Sequence, residues 1–326
     1  MSEITISEVS STSVEEIAAS SAASMRTLIV TSFAENSRAT WLRPHFSSIK
    51  NISYLTLCDR QDTFRPQAVS SFLRKYGEDS ICDEHNAIQR LQNEAKYALS
   101  SGNPELPLVV DVSCMSRRQM GYVMAAIRDI AAVIIPIRLQ LIYCLAKFTR
   151  PPENPHIYNR RVAPVHPAFS GWTTSPGLPL EVVVSLGYER GKAAGAVEYL
   201  EPRKKWVFIP NSPDDRFLKN VTQHNKDLIA ATSSSQLFYD VLSPVDTYYT
   251  LLSLVHGLSK TCRPVLLPFG PKLFFSLALL VAMCMDQVSV WHVDSEELPT
   301  RQYPSNHSTS MECLISSTNR ILEVEQ

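Results

Sequence analysis

Leu180-Glu-Val-Val-Val-Ser-Leu186 runs straight into Gly187-Tyr-Glu-Arg-Gly-Lys192 and then into the helix-forming stretch Ala193–Leu200. Three adjacent valines favour extended backbone, because branching at Cβ restricts χ1 and packs well on a pleated surface. An apolar run without polar alternation suits a strand covered on both faces. The pattern recurs down the chain. Lys205–Ile209 precedes the helical stretch Asp215–Ala231, Gln236–Val241 precedes Asp246–Leu258, Arg263–Leu267 precedes Lys272–Met285, and Val288–His292 closes the series. Short strands alternating with such helices require right-handed βαβ units and a mostly parallel sheet.

Working outward toward the N-terminus, the alternation loosens but persists. Thr27–Ser32, Asn51–Leu57, Leu106–Ser113 and Leu139–Leu145 read as strands, and Arg117 to about Ile130 reads as a helix. The fold expected is therefore α/β, with Rossmann-like, mostly parallel sheets, helices on both faces, and two such lobes. No residue-level repeat relates the halves. Residues 150–180 carry seven prolines, which lack an amide hydrogen and fix φ, so neither a long helix nor a central strand fits there. The expected organisation is a disordered leader over 1–24, an N-terminal lobe over 25–149, a Pro-rich linker over 150–180, a C-terminal lobe over 181–298, and a tail over 299–326.

Composition excludes several classes of function. A net charge of −1 gives no chain-wide field to gather nucleic acid or anionic membrane, so direct nucleic-acid binding is not indicated. The strongest apolar run, Leu273–Met285, is shorter than the ~20 residues a membrane span needs and reads as a buried helix. The leader has neither the basic start nor the apolar centre of a secretion signal. The odd number of cysteines includes no Cys-x-x-Cys pair, which argues for buried thiols in a reducing, cytoplasmic setting and against a disulfide framework or a zinc site.

Ligands of an open parallel sheet bind beyond the carboxyl ends of its strands, where helix N-termini point their amides. That rule selects Gly187, Glu189 and Lys192 after the first strand of the C-terminal half, Asn211 after the second, Asp246 after the third, and Gly270 with Lys272 after the fourth. Gly187–Lys192 departs from a P-loop: three residues separate its glycines and Ala193 stands where a magnesium-binding hydroxyl would be. Gly187, Gly191 and Gly195, spaced by four, also fit close helix–strand packing. Gly270-Pro-Lys272 opens an apolar helix, with Pro271 suited to its first position and Lys272 suited to a phosphate. Asp246 fits either an N-cap or a ribose-hydroxyl acceptor. Asp111-Val-Ser113, followed by Arg117 and Arg118, marks a second polar strand end. No His-Glu-x-x-His, Gly-x-Ser-x-Gly or Gly-x-Gly-x-x-Gly motif is present.

The strand Val182–Leu186 with its small-residue loop, the Glu201-Pro202 turn, and Pro268-Phe-Gly-Pro-Lys272 with the strand Val288–His292 and Asp294 carry a resemblance. Over residues 181–295 the chain resembles the CRISPR-associated Rossmann-fold (CARF-like) sensor domains and related antiviral-defence proteins. The family's Gly-Gly-Thr-Lys pattern stands here as Gly270-Pro-Lys272. The resemblance implies a nucleotide or cyclic-oligonucleotide ligand at the strand ends, no cofactor, and a sensor or regulatory subunit in a bacterial antiviral system, with protein partners. The alternatives are a nucleotide-processing enzyme using Asp111, Glu189 or Asp246, and an assembly subunit that binds other proteins.

Overall fold

The computed structural model describes residues 3–33, 37–58, 81–150, 159–172, 176–295 and 302–318. The chain forms two compact units, Met1–Lys147 with Arg301–Gln326, and Phe148–Thr300. The first unit begins with β1 (Ile4–Thr12), α1 (Val14–Ala23), β2 (Thr27–Ser32), β3 (Ile52–Leu57) and β4 (Ile81–Cys82). It continues with α2 (Glu84–Ser100), β5 (Leu106–Asp111), α3 (Arg117–Val133) and β6 (Ile137–Ala146). The second unit contains β7 (Asn159–Pro164), β8 (Leu180–Ser185), α4 (Lys192–Leu200), β9 (Lys204–Asn211), α5 (Asp215–His224), α6 (Lys226–Ala230) and β10 (Gln236–Asp240). It ends with α7 (Pro244–Leu258), β11 (Arg263–Pro268), α8 (Lys272–Met283) and β12 (Ser289–Ser295), after which β13 (Pro304–Ser317) returns to the first unit.

Among the described residues the second unit holds one sheet in the order β10-β9-β8-β11-β12-β7, with β7 alone antiparallel. The first unit's sheet runs β1-β13-β6-β5-β2-β3-β4, with β2 to β6 parallel and β13 antiparallel to both of its neighbours, β6 and β1. Both parallel cores follow one plan. The first parallel strand (β2 or β8) sits centrally, the next two extend outward on one side, and the chain then crosses back to place two more on the other. Right-handed crossovers on a sheet whose order reverses put helices on both faces. The fold is thus α/β with two Rossmann-like lobes, related by topology.

Burial explains the strand pattern. Val182, Val183 and Val184 are all fully buried, so β8 is covered on both faces. Every residue of α8 from Leu273 to Met283 is buried, which is why this helix is apolar around its whole circumference. Among the described residues no helix is long and apolar enough to cross a membrane. Five of the seven cysteines are buried, and burial pushes the Cys82 and Cys144 thiols up to about 11 and about 12, as expected of inert packing groups.

Three expected boundaries are corrected. Residues 1–24 are no disordered leader: β1 pairs along β13 from Ile4↔Ser317 to Thr12↔Ser310, and α1 opens on a Ser13–Glu16 capping box and buries Val14 and Ile17. Polar composition misled because β1 is an edge strand with much of its length toward water. The tail is likewise a strand, with Met311, Cys313 and Ile315 buried at period two between serines and threonines. Arg138 on β6 ties both termini together, donating to Glu8 of β1 (2.8 Å) and Glu312 of β13 (3.3 Å) and pairing with Glu105. Within the expected linker, 159–164 is the edge strand β7 and Phe169 is buried, both within the second unit; residues 151–158 and 173–175 lie outside the described residues. Pro164 is tolerated because it ends an edge strand.

Candidate functional site

Strand order reverses between β8 and β11, so their carboxyl ends form the topological switch point of the second unit. Ser185 and Pro268, the last residues of the two strands, are register partners. Beyond them the chain backbones nearly touch. A Cβ on Gly187 would lie 2.9 Å from the Gly270 nitrogen, and one on Gly270 would lie 3.2 Å from the Gly187 Cα and overlap the Leu186 carbonyl oxygen. Gly270 also has φ +70°, a conformation that disfavours any residue with a Cβ. These two glycines are required by close approach across the switch point. Gly191 is different: at φ +74° with open space around it, it serves backbone conformation at the start of α4 and not the packing its spacing suggested.

Each of the two loops delivers a lysine to the first residue of a helix. Lys192 opens α4 and Lys272 opens α8. Lys192 is only 6% exposed and Lys272 is half-buried. Neither helix has a side-chain N-cap, a condition shared by α6 and α7, whereas α1, α2, α3 and α5 are each capped by Ser13, Asp83, Ser116 and Asp214. Pro271 is the N-cap of α8 and not its first helical residue, so Lys272 takes that position. Each of these two helix starts thus has a lysine as its first residue, following the loop that holds Gly187 or Gly270. The Glu189 carboxylate lies over Gly187, where a Cβ would otherwise stand.

The loop after β8 is pinned from behind. Asn225, 5% exposed, donates from Nδ2 to the Gly187 carbonyl (2.8 Å) and to the Val221 carbonyl (2.9 Å), and His224 Nδ1 bonds the Tyr188 carbonyl. Beneath it the buried Ser185 hydroxyl meets Tyr239 Oη at 3.1 Å. Nothing in local sequence joins Asn225 to Gly187, since their contact spans 38 positions.

Of the residues selected from sequence, Gly187, Glu189, Lys192, Gly270 and Lys272 belong to this one junction. Asn211 ends β9, the neighbouring strand, and its side of the chain is exposed. Asp246 belongs to a different loop. It sits exposed in the first turn of α7, after the edge strand β10, and the N-cap there is Ser243, so Asp246 is not the cap its position suggested. Asp214 does cap α5, accepting from the Arg216 amide at 3.1 Å.

The corresponding switch point of the first unit, between β2 and β5, is filled by its own side chains. Asp111 accepts from the Ser113 amide (2.9 Å), Ser32 donates to Gln119 (2.9 Å), and Gln119 is already the capping-box partner of Ser116. Arg38, 2% exposed, donates to the Cys144 carbonyl (2.5 Å) and bonds Gln302. Asp111-Val-Ser113 is therefore the polar packing of a strand end. No family model matches the chain, and no curated protein is similar to it in sequence.

Proposed function

We propose that the second unit binds a nucleotide through its phosphates at the β8–β11 junction, and that the chain acts as a nucleotide sensor or regulatory subunit. The observation that carries this reading is the pairing of two helix starts without side-chain caps, α4 and α8, each beginning with a lysine, at a Gly187–Gly270 contact on the switch point. Glycine lets an anion reach the backbone amides, and the ammonium groups neutralise it. Asn211, at the end of the next strand, stands where Rossmann-type sites place their ribose-hydroxyl partner.

Sensing is favoured over turnover by the acidic groups. Of Asp111, Glu189 and Asp246, Glu189 alone is at the junction; Asp111 is buried in the first unit and Asp246 is exposed beyond β10. Of the three carboxylates weighed for acid–base roles, this leaves Glu189 as the one on a junction loop. The resemblance of 181–295 to CARF-like domains supports a signal nucleotide, such as a cyclic oligonucleotide, as the ligand class and antiviral defence as the setting.

Mass spectrometry of small molecules retained by the purified protein, followed by incubation with the nucleotide found, tests this. The expected result is a nucleotide recovered chemically unchanged. Its conversion would make the chain an enzyme, and a failure of every nucleotide tried to bind would leave an assembly role with other proteins.

A further inference from the structure

Three aromatic rings gather beside the junction from separate parts of the second unit. Tyr188 follows Gly187 directly, Phe217 lies in the first turn of α5, and Phe148 comes from the start of the unit. Phe148 meets Phe217 edge-on at 5.2 Å and 83°, and Tyr188 lies tilted to Phe217 at 6.1 Å and 43°. The Arg216 guanidinium stands over the Phe148 ring at 4.9 Å and is held there by Asp214, whose Oδ2 accepts from Nη2 at 2.6 Å.

The unit's other aromatic cluster, Phe208, Tyr239 and Phe274, lies in the core, each at most 5% exposed, whereas Tyr188 packs against the core from its edge. Phe148, Tyr188 and Phe217 are instead all half-buried, and Arg216 keeps 64% of its side chain exposed. Their position is also fixed. His224 Nδ1 bonds the Tyr188 carbonyl and Asn225 bonds the Gly187 carbonyl, so α5 and the loop over the junction are fastened to each other. Flat, partly exposed π-surfaces with a guanidinium alongside are what a nucleobase stacks on, whatever its identity, because every base has a π-face.

We infer that Tyr188, Phe217 and Phe148, with Arg216, form a nucleobase platform. The ligand class is then a nucleotide carrying its base, and not a bare polyphosphate or a phosphosugar. The inference rests on the phosphate site proposed above and adds the part of the ligand that the lysines do not recognise.

AMP and ribose 5-phosphate differ by the base alone, and equilibrium dialysis of each against the full chain gives the test. AMP binds the wild-type protein more tightly by about 5- to 100-fold, the range of one base stacked on an aromatic side chain. Phe217→Leu removes that preference while ribose 5-phosphate binds as before, and Phe217→Tyr, which keeps a ring, retains it. Should Phe217→Leu fail to fold, magnetisation transfer from the protein's aromatic protons to the AMP base protons supplies the second readout, and its absence would overturn the platform. Equal affinities for the two probes, or a preference that survives in folded Phe217→Leu, would overturn the platform and leave the phosphate site standing. Binding of neither probe would overturn both.

Discussion

Gly270 combines two demands that only a glycine satisfies. Its φ of +70° is costly for a side chain, and the Leu186 carbonyl occupies the place of its Cβ. Gly270→Ala should therefore lose stability by about 1–3 kcal/mol from backbone strain, with the steric overlap adding to it; a denaturant midpoint equal to that of the wild type would refute the close approach. Glu181 offers a pH test at the other end of β8. Burial alone would raise its carboxyl, but donors from Trp206 (2.9 Å) and Arg203 outweigh that and hold it below the usual carboxylate range. A carboxylate depressed in the folded state stabilises fully above its unfolded value, about 4.3 for Glu, and that contribution is lost as pH falls through the lower folded value. Glu181→Gln should lower the Tm at pH 7 and flatten its decline between neutral pH and the acid range. An acid limb as steep as the wild type's would show that the pair contributes nothing.

At the scale of elements, α8 joins a packing task to the binding task proposed for Lys272, and substitutions can separate them. Leu277 is fully buried. Leu277→Ala should cost about 2–5 kcal/mol by opening a cavity, while a residual folded fraction keeps its affinity. β1 and α1 provide a second test, because they overturn the expectation of a disordered leader. Deleting residues 1–24 removes the β1–β13 ladder, the Arg138–Glu8 pair and the buried Ile4, Val14 and Ile17. A thermal melt should fall by many degrees; an unchanged transition would mean that the terminal strand adds no stability. The strands legible in advance were those with continuous β-branched runs, such as Thr27–Ser32, Leu106–Asp111 and Leu180–Ser185, since burial on both faces demands apolar residues throughout. Edge strands were not legible. The edge strand β1 is rich in Ser, Thr and Glu, as is β13, which it covers, and such sequence resembles solvated chain until its partner strand is known.

At the scale of the whole molecule, one topology is used twice with different occupants. In the first unit the switch point is closed by Asp111, Ser113, Gln119 and Arg38 bonding to neighbours within that unit. In the second, the equivalent junction has helix starts without capping side chains and carries Lys192 and Lys272. This division explains how much of the site could be read from sequence. The loops were legible because a strand followed by glycine and a helix-opening lysine is a local pattern. The pinning residue Asn225 and the ring cluster of Tyr188, Phe217 and Phe148 were not, because their contacts join positions tens of residues apart. Asp246 follows β10, which lies at the sheet edge, two strands from β8.

Calorimetric titration of the full chain with mono-, di- and cyclic oligonucleotides, with Lys272→Ala beside the wild type, bears most directly on the phosphate site. The variant should remain folded, with a cooperative thermal melt run beside the wild type's, since Lys272 is only half-buried at a loop–helix junction. It should bind the preferred nucleotide roughly ten- to a hundredfold more weakly, the loss of one charge-assisted contact worth about 1.5–3 kcal/mol. A folded Lys272→Ala protein that binds that nucleotide as tightly as the wild type, or a wild-type chain that binds none of them, would contradict a phosphate site at the β8–β11 junction.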